Sequence, residues 1–459
     1  MKPAKKKSLL RRVFIWIGRA LLALIVLYAA TFAWYRLRGP TEEQQAALAL
    51  MRKDWRPAHG VNAFPLLFYL SYDVPAERLD AQMAVDVEKV RKQIDAYKAG
   101  ETNITENADT DAPPLPSLSQ AENAALCRKD CLAKVSAQPD AVRAALAAHP
   151  VEVARAQAFE RADFNWNEFP ANMFSPIGYM GFINGQRFWL SAFALKYAEG
   201  DRTGALAATC RNLAAWRRMA SASNTQIGAL MSDARMNDAI RLYADMLVGL
   251  PADAVVPEDC ALALRPVAAA DVDRCAQLAG TLAEQEAMFR WVGGRTPQAR
   301  WYERLVGTEG IDVRQTTALT AQTLAASCGS DAIARFLADE LPRKAQVRFP
   351  SGLECIANRA GCFIAPMMAS TYATYDEATL DRAAHLRLAA TLLWLREQPE
   401  GSIAERFARR PAELRSPNHD SGFDAQRGVL YVEHVRRAFD EEGQSINKPR
   451  FELPIATPH

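Results

Sequence analysis

Between Val13 and Tyr35 the chain reads VFIWIGRALLALIVLYAATFAWY, 23 residues with one charge, Arg19. A bilayer core takes about 20 apolar residues in a helix, so the pattern predicts a single transmembrane helix over residues 13–35. Trp16 and the pair Trp34 and Tyr35 stand 18 residues apart, about 27 Å at helical rise, the spacing of two interfacial aromatic belts. Arg19 stacks two turns after Arg11 and Arg12, where a long side chain snorkels to the headgroups.

After Gly39-Pro40 the pattern becomes amphipathic. Thr41-Glu42-Glu43-Gln44 has the form of a capping box and opens a helix to about Trp55. Over 75–99, Leu79, Met83, Val87, Val90, Ile94 and Tyr97 recur at three- and four-residue steps, with Pro75 at the start and Gly100 as terminator. Residues 101–118, ETNITENADTDAPPLPSL, carry acids and prolines but few large apolar groups, which predicts an exposed, mobile loop.

Helical segments follow at about 120–135, 139–163, 180–199, 202–222, 225–249, 270–291, 313–340 and 376–397. Short breakers such as Gly200-Asp201 and Pro251 separate them, so neighbours should pack as antiparallel hairpins. No fixed period of a regular repeat array is found. RGVLYVEHV, residues 427–435, is β-branched and aromatic after the turn-rich SPNHDSG, predicting a short hairpin at about 417–435. The expected fold is all-α: a transmembrane helix, then a bundle or irregular α-solenoid over 41–459 with a short C-terminal β element.

Charge orients the span. Lys2, Lys5, Lys6, Lys7, Arg11 and Arg12 precede it without an acid, whereas Glu42 and Glu43 soon follow Arg36 and Arg38. Positive-inside counting makes residues 1–12 a cytoplasmic tail and the helix a signal-anchor, with 41–459 on the periplasmic side. Two alternatives remain open: a cleaved signal peptide using Thr31 and Ala33, and twin-arginine export through RRVFI. Apolar residues are 49 % and charged residues 24 %, as in ordinary globular chains, and the net charge of +2 includes no basic block beyond the N-terminus. The expected partners are the bilayer, through 13–35, and an envelope protein; nucleic acid is not expected.

Eight cysteines lie beyond the span, at 127, 131, 210, 260, 275, 328, 355 and 362. In an oxidising space an even count favours disulfides. Proximity suggests Cys355 with Cys362 and Cys127 with Cys131. The second pair needs a helix break, since i, i+4 Cβ atoms on a helix are about 5–6 Å apart and a disulfide wants about 3.8 Å. Eight cysteines allow 105 connectivities, so the others stay open. Without a C-x-x-C, and with scattered histidines, structural zinc is not expected.

Serine-hydrolase, zincin, P-loop and Rossmann signatures are all missing, and no cofactor is implied. Glu377, Asp381 and His385 recur every four residues. Such a stripe can ligate a metal or pair an acid with a base, although the expectation here is a solvated helix face. His419-Asp420 is expected as a polar pair in an exposed turn. Segment 164–189, FNWNEFPANMFSPIGYMGFINGQRFW, holds eight aromatics in 26 residues with amides between them. Trp166, Asn167, Asn172, Tyr179, Asn184 and Trp189 are its candidate ligand-binding residues, the material of a sugar or peptide site or of a bilayer contact. The alternative is an irregular core plug whose amides bond to backbone. NAFPLLFYLSY, residues 62–72, invites the same two readings, with membrane-side packing slightly favoured by its closeness to the anchor.

The order CRKDCLAKV, then CRNLAAWRRMASASNTQIGALMSDARMNDAI, then HLRLAATLLWLREQ before a short turn and strand resembles a group of membrane-anchored, all-helical envelope proteins of Gram-negative bacteria, over most of residues 41–435. The resemblance implies architecture and an inner-membrane location, and it carries no activity. The expected function is a non-enzymatic interaction or scaffold protein of the envelope, the alternative being an enzyme or binding protein that engages an envelope polymer through 164–189.

Overall fold

A computed structural model describes residues 6–98, 110–172, 180–294, 310–342, 349–398, 400–435, 438–439, 445–446 and 449–455. The first helix, α1 (Lys6–Leu37), carries the apolar stretch from Arg11 to Leu37, long and apolar enough to cross a membrane and nowhere buried against the rest of the chain. Its end is held. Arg36 pairs with Asp312 at 3.6 Å and donates to the Ala357 carbonyl, while Arg314 donates to the carbonyls of Arg36 and Arg38.

The capping box forms as the sequence predicts: Gln44 N donates to Thr41 Oγ1 at 3.3 Å and Gln44 Oε1 accepts from Thr41 N at 3.0 Å. It opens α2 (Glu42–Met51), which stops short of Trp55. Then come α3 (Ala63–Phe68), α4 (Leu79–Lys98) after a 3₁₀ turn, α5 (Gln120–Ala125), α6 (Cys131–Ala137), α7 (Pro139–Ala148) and α8 (Pro150–Glu160). Pro139 and Pro150 occupy first helical positions, where a missing N–H costs nothing, and they split the expected 139–163 helix at His149. Of the expected mobile loop, 101–109 lies outside the described residues. The remainder is pinned, Asp73 N donating to Pro113 O at 2.8 Å and Leu115 N to Ser71 O at 2.9 Å.

The centre is a stack of long helices, α9 (Met180–Ala198), α10 (Arg202–Ser221) and α11 (Gln226–Val248), capped by Asp201 and Thr225. Trp189, Trp216, Phe159 and Phe182, all under 2 % exposed, meet at its heart. Next are α12 (Glu258–Ala263), α13 (Ala269–Val272), α14 (Cys275–Gly294), α15 (Val313–Ala325) and α16 (Ser330–Leu337). The 39-residue α17 (Arg359–Glu397) follows, then α18 (Ile403–Arg409). α17 starts seventeen residues earlier than the sequence suggests, continuing through Gly361 and Pro366.

Three antiparallel strands close the chain in the order β1 (Ser421–Asp424), β2 (Val429–Glu433), β3 (Arg450–Pro454). The expected hairpin is β1–β2, in the register Gly422↔Tyr431. Alternation sends Leu430, Val432, Phe451 and Leu453 inward onto α11 and α17.

All eight cysteines are paired. Cys355–Cys362 and Cys127–Cys131 form, the latter through the required break: α5 ends before it, and Asp130 in the left-handed region (φ 47°) starts a new helix at Cys131. Cys210–Cys260 ties α10 to α12, and Cys275–Cys328 ties the start of α14 to the end of α15.

Candidate ligand cleft

The aromatic and amide segment divides between core and surface. Phe164, Asn165, Phe169, Phe182, Phe188 and Trp189 are buried. Trp189 is 0 % exposed, stacks on Phe159 at 4.7 Å and donates its indole N–H to Glu152 O, so it is a core residue and no wall of a site. Asn184 lies half-buried on α9, away from the cleft, and Tyr179 lies outside the described residues. Trp166, Asn167 and Asn172 do line a cleft, of about 470 Å³, within the usual range for ligand pockets.

Three elements build it. The chain leaving α2 contributes Arg52, Lys53, Trp55 and Arg56, the loop 166–172 forms one wall, and Gly280, Ala283, Glu284 and Glu286 of α14 form the other. At its floor Asn224, in the turn between α10 and α11, exchanges two hydrogen bonds with the Asn167 backbone, at 2.7 and 3.0 Å. Gly280 is there for contact: a Cβ at this position would lie 1.8 Å from Asn224 O.

The loop is positioned by Asn62, which accepts from Trp166 N at 2.8 Å and donates to Trp166 O and Glu168. NAFPLLF is therefore not membrane-side packing: α3 is buried throughout, with Phe64 and Phe68 against Phe169. The core-plug alternative is met in part: Gln186 donates to Arg235 O, whereas Asn165 Oδ1 is buried without a partner among the described residues. Asn167 Oδ1 accepts from Phe169 N at 2.9 Å, and its amide nitrogen has no partner among the described residues. Asn172 is partnered within the protein.

The rim is paired. Arg56 grips Glu168 at 2.6 and 3.1 Å, Arg52 reaches Glu286 at 3.1 Å, and Lys53 covers the Trp55 ring at 4.6 Å. Glu284 differs. Its side chain is exposed at the cleft, and no described residue hydrogen-bonds or ion-pairs with it. Desolvation pushes its carboxyl up to about 7. Half-protonated near neutrality, it can donate as well as accept, which the paired Glu168 and Glu286 do not share. Trp55, Glu284, Glu286 and Asn224 were not legible as site residues, because only tertiary packing brings them to Trp166.

The stripe Glu377, Asp381 and His385 corrects the expectation of a solvated face. Asp381 and His385 are 5 % and 3 % exposed, since α17 runs through the interior, and Glu377 is half-buried. Asp381 accepts from Val435 N at 2.7 Å and from His419 Nε2 at 3.3 Å; His385 bonds Asn237 and His434 at 2.9 and 3.0 Å. Among the described residues no three His, Cys, Asp or Glu side chains could hold a metal ion.

His419 is likewise not in an exposed turn. It sits between Asp339, at 2.8 Å, and Asp381. Burial alone lowers its pKa, but the hydrogen bonds and charges of the two carboxylates win and hold it up at about 9. Nearby, Arg217 grips Asp271 bidentately at 2.7 and 2.8 Å. Burial pushes Asp271 up; Arg217, Arg265 and the Ala268 amide overcome that and keep it at about 2.

A wider groove of about 1030 Å³ opens between the Cys127–Cys131 loop, α9, α11 and β3. Its lining mixes Arg128, Lys129, Arg187, Arg235 and Arg241 with Asp130, Asp238 and Asp245, and no aromatic side chain is among the described residues that line it. Burial, with help from Asp130, raises Asp245 to about 6.

No family model, no curated protein and no solved structure matches this chain.

Proposed function

We propose that the protein is a bilayer-tethered binding domain of the cell envelope whose cleft between α2, α14 and the 166–172 loop takes a segment of a sugar polymer. One observation carries the reading. A half-exposed Trp166 ring, the free Asn167 amide nitrogen and the protonable Glu284 converge on one cavity of about 470 Å³. Indole faces stack on the C–H faces of sugar rings, while amides and carboxyls bond the hydroxyls. Support for an inner-membrane anchor with the domain on the periplasmic side comes from the basic N-terminal tail and from the four disulfides, which suit an oxidising space.

The test is calorimetric titration of the full-length protein in detergent with N-acetylglucosamine oligosaccharides. Saturable binding is expected, weakened about tenfold or more by Trp166→Ala, in line with the loss of one stacked ring. Absence of binding, or binding indifferent to Trp166→Ala, overturns the glycan reading. A second reading, a scaffold for an envelope protein, draws on the wide groove by the Cys127–Cys131 loop, whose mixed charges suit a polypeptide segment. Crosslinking in intact cells followed by capture tests it, and recovery of no stable partner counts against it.

A further inference from the structure

Near the point where α1 ends, the globular part presents large apolar side chains to the outside. Phe363 and Met367, one turn apart on α17, are 69 % and 54 % exposed, and Leu353 is 65 % exposed. Leu353 stands on the 3₁₀ turn Gly352–Cys355, which the Cys355–Cys362 disulfide clips to the first turn of α17. Soluble surfaces seldom gather such residues without an occupant.

The position of this face identifies the occupant. Arg36 reaches Asp312 and Ala357 O, two residues before α17 begins, and Arg314 holds the last carbonyls of α1. The start of α17 thus lies at the level where the spanning helix leaves the bilayer. Phe363 is four residues beyond Arg359, about 6 Å along the axis of α17. The interfacial layer on each side of a bilayer is about 5–8 Å deep. Arg36, Arg38, Arg314 and Arg359 are exposed around the same junction, and guanidinium groups pair well with lipid phosphates.

We propose that the face of α17 bearing Phe363 and Met367, with Leu353 beside it, lies in the headgroup layer of the membrane that α1 spans. The protein then has two membrane contacts, a span and an interfacial foot, and the foot fixes the tilt of the domain. The inference rests on reading α1 as a span and is independent of the cleft.

The experiment places full-length protein in vesicles of phosphatidylcholine and phosphatidylglycerol with either ordinary or brominated acyl chains. Trp16 and Trp34 of the parent report the span by bromine quenching. Phe363→Trp and, in case that variant folds poorly, Met367→Trp add a reporter on the foot. Val255→Trp is the distant control: Val255 is 82 % exposed and follows Ala254, whose carbonyl binds Arg396 at the far end of α17. The expected result is loss of the added emission at 363 or 367 in brominated vesicles and its retention at 255. Added emission at 363 and 367 that survives while the parent is quenched overturns the foot and leaves the span intact. Quenching at 255 as well overturns the assignment to this face, and an unquenched parent overturns span and foot together.

Discussion

The candidate cleft and the buried polar network along α13 and α17 both carry carboxyl groups with shifted titration, yet these end in opposite states. Glu284 in the cleft meets no cation among the described residues and is pushed up to about 7. Asp271, 3 % exposed, is gripped by Arg217 and Arg265 and stays at about 2. Between Asp339 and Asp381 the imidazole of His419 is held up at about 9. Burial acts on every acid in the same direction, and the partner decides the outcome. Along α13 and α17 arginines meet the buried Asp271 and Asp339, whereas the cleft leaves Glu284 without a cation, and perturbed acids in clefts mark candidate binding sites.

Breaking the pairing should separate the two regions most. Arg217→Met leaves Asp271 with Arg265 as its remaining cation and strips the Ala263, Arg265 and Pro266 carbonyls of their donor, which should cost about 3 kcal/mol, read by urea unfolding. Glu284→Ala, which breaks no pair, should move stability by under about 0.5 kcal/mol. Equal losses at the two sites would erase the contrast. The cleft wall has its own staple: Cys275–Cys328 closes a 53-residue separation under α14, and its replacement by alanines should cost about 4 kcal/mol on the chain-entropy account. The local Cys127–Cys131 pair, with a separation of 4, should cost about half as much.

Proton linkage separates the regions further. His419 has a folded pKa of about 9, above its unfolded value. Its stabilisation, about 3 kcal/mol at full strength, is therefore present below about pH 6.5 and lost as pH rises through about 9. His419→Leu should remove that slope from a series of melts between pH 6 and 10. The smallest effect has the opposite use. Glu284 is also raised, so its deprotonation in the fold is disfavoured, and the stability it lends at pH 4 is lost as pH rises to about 7. Glu284→Gln should match the parent at pH 4, melt slightly higher at pH 8, and flatten the pH dependence of glycan binding near 7.

Much of the fold was legible because its signals are local. The capping box at Thr41, the periodicity of 180–249 and the breakers between helices each act within a few residues, and the helices came out near those bounds. The early start of α17 was hidden by Gly361, in its first turn, where the N–H has no intrahelical partner, and by Pro366, which sits inside the helix and gives up one bond to the Cys362 carbonyl. The stripe Glu377, Asp381, His385 was visible as spacing, but its burial was not, since Asp339, Asn237, His419 and His434 arrive from other elements. The site was half legible. Segment 164–189 marked Trp166, Asn167 and Asn172, while alternation of core and surface within it, imposed by Phe159 and by α3, placed Trp189 inside.

The short helix between Thr41 and Met51 has a consequence for reach. One end of α2 leaves the pinned terminus of α1, and the other delivers Arg52 to Arg56 to the mouth of the cleft. Ten residues of helix measure about 15 Å, so, with α1 read as a span, α2 would be a rigid spacer between the lipid and the cleft mouth. Because Arg36 is clamped to the domain, this spacing does not vary as it would on a slack leash. On the proposed reading the cleft would sample a thin layer parallel to the membrane, and a polymer strand would have to enter that layer to be bound.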